Sequence, residues 1–172
     1  KGEESMNNKK VSVCLPFYNI EPYVSRCLDS VLGNTYQNLE VICVNDGSTD
    51  QTWPIIKDLH QNTPYACGLN LAGNVGHQNA LMAGLNAVKE RCDVAISIDA
   101  DLQDDVNAIP EMLERYREGC DIVYGVRRER KTDTFFKRTT AQGFYKVMEM
   151  MGVKTVYNHA DFRLMSKRAV EQ

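Results

Sequence analysis

The sequence lacks any apolar run long enough to cross a bilayer, and it lacks the glycine-rich phosphate loops. No stretch approaches the roughly 18 to 20 apolar residues that a membrane span needs, and no signal peptide is visible. We therefore do not expect this chain to cross a membrane by itself. Neither G-x-G-x-x-G after the first strand nor G-x-x-x-x-G-K-[ST] occurs, which argues against a glycine cradle for phosphates.

Paired cysteines and a basic surplus are also absent. The six cysteines are at least 13 residues apart, with no C-x-x-C pair, so neither a zinc site nor a disulfide framework is predicted. We expect reduced and mostly buried thiols, with Cys14 and Cys43 inside apolar strands, in a cytosolic compartment. A net charge of −3 and a pI near 5.6 do not favour nucleic acid as a partner.

What the sequence does have is an alternation of strand and helix patterns from Val11 onward. Such alternation predicts one α/β domain over 11–172, with a mostly parallel sheet and helices on both faces. Residues 1–10 are polar and without periodicity, and we interpret them as disordered or expression-derived. The predicted strands are 11–15, 39–45, 65–71, 94–98, 121–126 and 161–165, and the predicted helices are 22–32, 50–61, 79–90, 108–118 and 136–151.

An acidic run, "DADLQDD", follows the fourth predicted strand. Ligands of parallel α/β sheets bind beyond the carboxyl ends of the strands, so these side chains should face a cleft. Asp99 and Asp101 are two residues apart and leave the same face of an extended segment. Their oxygens, with Gln103 two residues further on, suit Mg²⁺ or Mn²⁺. For Asp104 and Asp105 we favour a solvated turn that caps the next helix.

Two further observations bear on this acidic run. An EF-hand beginning at Asp99 would need Gly at its sixth position and Glu at its twelfth, where the chain has Asp104 and Pro110. Asp46, in "VNDGSTD" after the second strand, can face the same cleft and accept an N–H from a base such as uracil or guanine. A lone D-G-S sequence is usually only a turn, and its position in the strand order is what makes it informative.

Several of these motifs occur together in a known family. Strand one with "PFYN", strand two with "NDGSTD", the loop "NVGHQNALMAG" and strand four with "DADLQD" resemble the GT-A glycosyltransferases of family 2. "PEMLERYREGCDIVYGVRRERK" and "ADFRLMSKRAV" are similar to the polyprenyl-phosphate glycosyltransferases within it. The resemblance covers about residues 11–170. It implies a Rossmann-like three-layer GT-A fold.

The resemblance also implies roles for individual residues. Asp101 and Gln103 would coordinate Mn²⁺ or Mg²⁺ on the diphosphate of a UDP- or GDP-sugar donor, and Asp99 and Asp161 would be the catalytic carboxylates. Asn45 stands where the family often has Asp, and "NIE" displaces Glu21 by one residue from its usual position. The implied nucleotide-sugar site comprises Pro16, Tyr18, Asn19, Glu21, Asp46, Gly76, Asp99, Ala100 and Asp101.

A basic cluster marks the expected acceptor side. Six cations fall within residues 127–138 of a chain that is acidic as a whole. Arg127 follows the fifth strand directly and can pair bidentately with a phosphate. The resemblance implies that Arg127 and Arg138, with Arg163 beside Asp161, serve the phosphate of a polyprenyl acceptor. The remaining cations could attract an anionic membrane surface.

The catalytic role of Asp161 need not be that of a base. A phosphate monoester has a second pKa near 6, so it is largely dianionic at neutral pH. We therefore expect Asp161 to act mainly by positioning, through Arg163. His77 and His159 flank the expected cleft and are left without a role, since a lone loop histidine is more often structural.

Two other functions compete with transfer to a lipid phosphate. One is family 2 transfer to a saccharide acceptor, because "PFYNIEPYVSRCLDSVL" resembles capsule and exopolysaccharide enzymes equally well. The other is a nucleotide-binding module without catalysis. The close relatives carry membrane helices after this domain, so we expect a truncated catalytic domain whose full-length form acts at the cytoplasmic face of the membrane. Homo-oligomerisation is left open.

Overall fold

The computed structural model describes residues 9–126 and 159–172. These residues form a six-stranded sheet in the order β3-β2-β1-β4-β6-β5. The predicted helix at 136–151 lies outside the described residues. The strands are β1 Val11–Phe17, β2 Leu39–Asn45, β3 Ala66–Asn70, β4 Val94–Ser97, β5 Ile122–Val126 and β6 His159–Ser166. The helices are α1 Glu21–Leu32, α2 Thr52–Asn62, α3 His77–Val88, α4 Ile109–Arg117 and α5 Lys167–Val170, with a 3-10 turn at Val106–Ala108.

The sheet is parallel except at one strand. β1 pairs in parallel with β2 and with β4, and β2 pairs in parallel with β3. β6 runs antiparallel to both of its neighbours, β4 and β5. The prediction of a mostly parallel sheet is confirmed. The antiparallel insertion of β6 brings a segment from the end of the chain against β4, in the middle of the sheet.

Helices cover both faces of the sheet because the strands are apolar on both sides. Alternate β1 residues illustrate this: Val13 and Leu15 belong to the core shared with α1, α2 and α4, whereas Cys14 belongs to the core under α3. Gly84 of α3 packs on Val44 so closely that a Cβ there would lie 2.9 Å from a methyl carbon of Val44. This close packing sets the position of α3 and of its first residue.

The cysteines behave as predicted. All six are free, and Cys14 and Cys43 are fully buried in the sheet. Burial raises the pKa of each of these two thiols to about 12. They are therefore protonated apolar groups of the core at neutral pH.

Several boundaries differ from the prediction. Helix α3 begins at His77, two residues before the predicted start. Asp50 accepts a hydrogen bond from the Thr52 amide (3.0 Å) in the turn before α2. Asp105 accepts from the Asn107 amide and caps the 3-10 turn, whereas α4, the helix expected to receive the cap, has no side-chain cap. Among the described residues, no helix combines the length and apolar character that a bilayer crossing requires.

The first strand begins at Val11, as predicted, but the two residues before it also belong to the fold. Lys9 and Lys10, which the sequence analysis assigned to the region outside the fold, both contact Asp93 before β4. The amide of Lys10 donates to the Asp93 carboxylate at 2.9 Å, and this bond is the leading reason that the pKa of Asp93 is lowered. The segment preceding β1 is thereby tied to β4.

Candidate active site

A cavity of about 350 Å³ opens at the carboxyl ends of β1 and β4, beside the first residue of α3. This is the edge of the sheet where parallel α/β proteins bind ligands. The cavity brings together residues that are more than 140 positions apart in the chain. Its lining residues are Pro16, Tyr18, Ile20, His77, Asp99, Ala100, Asp101 and Asp161.

The acidic run forms a turn, which corrects the extended segment assumed from the sequence. β4 ends at Ser97, and the backbone turns at Ala100 and Asp101. Leu102 has a left-handed φ of 61°, and Asp101 accepts a hydrogen bond from the amide of Gln103 at 3.0 Å. Both Asp99 and Asp101 nevertheless line the cavity.

Asp99 is the partly buried carboxylate of the site. Its side chain is 29% exposed, and its Oδ1 is shielded from solvent without a hydrogen-bond partner among the described residues. Burial raises the pKa of Asp99, which His77 opposes and which Asp161 and Asp101 reinforce by charge repulsion. An oxygen with unused acceptor capacity in such a position is suited to a cation or a donor group from a ligand.

Asp161 is held on β6 by contacts on several sides. Its Oδ1 accepts a hydrogen bond from Nη2 of Arg163 at 2.5 Å, and its backbone carbonyl accepts from the Ser97 hydroxyl at 2.6 Å. Oδ2 lies 3.6 Å from Nε2 of His77. The link expected between Asp161 and Arg163 is therefore present, and β6 presents Asp161 to the same cavity as Asp99.

His77 is the residue that sequence reasoning missed. Its Nε2 lies 3.4 Å from Oδ1 of Asp99 as well as 3.6 Å from Asp161. One ligand atom from each of these three residues lies within 4.8 Å of the others, a group that could hold a metal ion. The sequence feature that could have indicated a role for His77 is its position directly after Gly76, at the point where the loop after β3 leads into an apolar helix.

The loops after β1 and β2 carry the residues that were predicted to contact the nucleoside, and that contact stays a prediction. Asn19 adopts a left-handed φ of 50°, and its Oδ1 accepts a hydrogen bond from the Thr49 amide at 2.8 Å. Glu21 accepts from the Gln51 amide at 3.2 Å. Pro16 and the half-exposed Tyr18 line the cavity, whereas Asn19 and Glu21 connect the two loops.

Asp46 is almost fully buried, with 2% of its surface exposed. Its two oxygens accept hydrogen bonds from the amides of Val75 and Gly76, at 2.7 and 3.1 Å. Gly76 has a φ of 87°. The carboxylate thus holds the loop that precedes α3, and direct contact of Asp46 or Gly76 with a nucleotide stays a prediction.

The other predicted metal and acceptor residues are distributed differently. Gln103 lines a second cavity of about 620 Å³, between α4 and β5, and not the one that Asp101 lines. Nε of Arg163 is buried without a hydrogen-bond partner among the described residues. Arg127 and Arg138 lie outside the described residues, so their acceptor role stays a prediction, as does metal binding by Gln103.

Comparison with known proteins identifies the family. The model of glycosyl transferase family 2 matches residues 12–172. The chain belongs to glycosyltransferase family 2. This agrees with the six-stranded, mostly parallel α/β sheet and with the acidic turn after β4, and it confirms the family that the sequence motifs indicated.

Two curated relatives are similar to this family 2 domain. An uncharacterised glycosyltransferase of Bacillus subtilis (strain 168), YkoT, is 57% identical over 79% of this chain and 40% of its own length. The bactoprenol glucosyl transferase of Shigella phage SfV is 37% identical over 94% of this chain and 53% of its own length. The chain thus spans about half the length of the curated relatives that it matches.

A solved structure confirms the GT-A fold. The mannosyltransferase PcManGT from Pyrobaculum calidifontis, in complex with GDP-Man and Mn²⁺, matches with a TM-score of 0.65 and 20% identity. The match covers 95% of this chain and 46% of that one. At this level of identity the likeness concerns the fold of the family 2 domain.

Proposed function

We propose that this domain transfers a hexose, with inversion, from a nucleotide-sugar to a polyprenyl phosphate. The observation that carries the proposal is that Asp99, Asp101 and Asp161 line one cavity at the carboxyl edge of the sheet, with Arg163 holding one oxygen of Asp161. Similarity to a bactoprenol glucosyl transferase over 94% of the chain supports the lipid phosphate as acceptor. UDP-glucose is accordingly the favoured donor, with GDP-mannose as the competing one.

The acidic turn suits a divalent cation on the donor diphosphate. Asp99 has an unused, shielded acceptor oxygen, and Asp101 presents a second carboxylate to the same cavity. Carboxylate oxygens are preferred ligands of Mn²⁺ and Mg²⁺. Asp101 and Asp99 would hold the ion. When bound, the ion supplies charge neutralisation for the leaving diphosphate.

The chain's own residues would orient the reaction. Asp161 lies beside the acidic turn, with one oxygen within 4.8 Å of an oxygen of Asp99, so an acceptor bound next to Asp161 would lie close to a donor sugar held at the turn. Arg163 holds one oxygen of Asp161 and keeps an unpaired Nε nearby. A guanidinium in that position can pair with a phosphate monoester, and a single displacement from the opposite face inverts the anomeric carbon.

Calorimetric titration of UDP and GDP, with and without Mn²⁺, tests the donor half of the proposal. We expect binding of UDP that depends on Mn²⁺ and that falls at least about tenfold in Asp101→Asn, because one charged ligand is lost. Asp58→Asn removes the same charge from an exposed position on α2 and should bind as the unchanged chain does. Failure of both nucleotides to bind would contradict a glycosyltransferase role for this domain.

The acceptor half requires a transfer assay. Undecaprenyl phosphate and a neutral oligosaccharide are each offered with radiolabelled UDP-glucose, and lipid-linked product is separated by organic extraction. We expect label in the lipid phosphate only. Label in the oligosaccharide would support family 2 transfer to a saccharide acceptor, because the motif over residues 16–32 also resembles enzymes of that kind.

A further inference from the structure

His77 occupies a position that the proposed chemistry has not used. It is the first residue of α3, and its side chain is 41% exposed at the mouth of the cavity. Its Nε2 lies between an oxygen of Asp99 on the donor side and an oxygen of Asp161 on the acceptor side, at 3.4 and 3.6 Å. Among the described side chains that line the cavity, His77 alone lies within ion-pair distance of both carboxylates.

The chemistry of this arrangement fixes the proton on one ring nitrogen. Both atoms facing Nε2 are carboxylate oxygens, which accept hydrogen bonds and do not donate them when ionised. Nε2 therefore carries its hydrogen, whether the imidazole is neutral or charged. Both separations are longer than a direct hydrogen bond, so a small rotation of the ring brings the N–H onto either oxygen.

The backbone around His77 is held firmly enough to give this ring a defined position. The two residues before His77 are Val75 and Gly76, and their amides donate hydrogen bonds to the buried carboxylate of Asp46. After His77, the side chain of Asn79 donates to the carbonyl of Val75 at 2.7 Å, and the amide of Ala80 donates to the carbonyl of Gly76. The start of α3 is thus anchored to the end of β2.

We propose that His77 is a positioning residue that turns Oδ2 of Asp161 toward Asp99 while Arg163 holds Oδ1. The inference rests on the proposed function, because it assumes that Asp161 orients the acceptor. Two carboxylates that face one small cavity repel each other. Without the N–H between them, Asp161 keeps only the contact to Arg163, and its second oxygen turns away from the donor side.

Kinetics separate this role from donor binding. We expect His77→Leu to lower kcat about 100-fold, the cost of an acceptor group displaced by about 1 Å, while Kd for UDP with Mn²⁺ changes less than about threefold. His77→Gln, which can place an amide N–H near the position of Nε2, should recover at least about tenfold of the loss. Gln78→Leu, in the same helical turn and exposed, is the matched control and should leave kcat unchanged.

Three results would overturn the proposal. In the first, His77→Gln is as inactive as His77→Leu, so that an N–H donor is not what matters. In the second, the loss appears in Kd for the nucleotide with kcat unchanged. In the third, His77→Leu weakens Mn²⁺ binding in the absence of nucleotide, measured from the electron paramagnetic resonance signal of free Mn²⁺, which would make His77 a metal ligand.

A measurement without substrate keeps this inference distinct from the proposed function. Long-range ¹H–¹⁵N spectra of the imidazoles are recorded at one pH for the unchanged chain, Asp99→Asn and Asp161→Asn. The Nε2 resonance of His77 should shift in both variants, while that of His60, whose Nδ1 lies 2.6 Å from the carbonyl oxygen of Ala66 at the start of β3, should not. No response to Asp161→Asn would refute the contact, whereas a response in a chain that transfers nothing to polyprenyl phosphate would uphold the contact and refute only the proposed acceptor.

Discussion

At the scale of single residues, the pairing of Asp161 with Arg163 decides what kind of catalyst the carboxylate can be. Its Oδ1 is occupied by the guanidinium at 2.5 Å, and Oδ2 faces His77. Both oxygens of the carboxylate therefore face nitrogen groups that can hold it in one orientation. These contacts favour an orienting role over proton abstraction.

This argument predicts a pH dependence for Asp161→Asn. Near pH 6 about half of a phosphate monoester acceptor still carries its second proton, whereas at pH 8 nearly all of it is dianionic. Any assistance that Asp161 gives as a base is needed only at the lower pH. We therefore expect the ratio of unchanged to variant kcat/KM to be larger at pH 6 than at pH 8, with a residual loss of at least about tenfold at pH 8 from lost orientation.

The comparison needs a variant that controls for general pH effects. Asp58→Asn, on the exposed face of α2, should follow the unchanged chain at both pH values. An equal loss for Asp161→Asn at pH 6 and pH 8 would show that the protonation state of the acceptor is irrelevant, and a loss confined to pH 6 would show that Asp161 is a base alone.

At the scale of elements, the loop after β2 supports the loop before α3. Gly47 has a φ of 67°, and a Cβ on it would lie 2.5 Å from the carbonyl carbon of Gly73. The next contacts along this junction are those of Asp46 with Val75 and Gly76. The backbones of two glycine-containing loops are therefore in direct contact, and this contact determines where α3 begins.

Gly47→Ala should disturb both stability and donor binding. The left-handed φ and the collision with Gly73 together predict a loss of about 1 to 3 kcal/mol in the free energy of unfolding, measured by urea denaturation. Because the displaced loop carries the start of α3, Kd for UDP with Mn²⁺ should rise as well.

Gly73→Ala is the matched control, since a Cβ there meets nothing within 4 Å and its φ is not left-handed. We expect it to change the free energy of unfolding by less than about 0.5 kcal/mol. If both alanine variants behaved alike, the close approach of Gly47 to Gly73 would not be what holds the two loops together.

At the scale of the whole molecule, the two edges of the sheet have different tasks. The carboxyl edge carries the cavity and its acids, whereas the amino edge carries an ion cluster around Glu40, which is 8% exposed. Glu40 accepts a hydrogen bond from Ser12 at 2.6 Å and lies 3.0 Å from the Lys10 ammonium and 3.5 Å from Arg91. This cluster joins β1, β2 and the segment after α3.

Glu40→Gln should therefore destabilise the fold and leave the chemistry unchanged. Removing the buried charge leaves Lys10 and Arg91 without their shared partner, at a cost of about 1 to 3 kcal/mol in urea denaturation. kcat per folded molecule should not change. Glu114→Gln, which breaks only an exposed ion pair with Arg117, should cost less than about 1 kcal/mol, and a change of kcat in Glu40→Gln would contradict the separation of the two edges.

Much of this architecture was predictable from local pattern. The apolar runs of β1, β2 and β4 and the spacing on α1 and α3 indicated the strands and helices to within a few residues, because burial imposes those periods. The motif order indicated the family. The antiparallel direction of β6 was not predictable from its eight residues, since strand direction depends on the path of the chain and not on composition.

The candidate site divides in the same way. The sequence by itself determined which residue types could hold a cation and a phosphate, because "DADLQDD" and "ADFRLM" place carboxylates at strand ends. Only the tertiary structure decided that β6 lies beside β4, that Asp161 therefore faces Asp99, and that His77 lies between them. Contacts between residues so far apart in the chain are set by sheet order and helix packing, and no local pattern encodes a distance across a cavity.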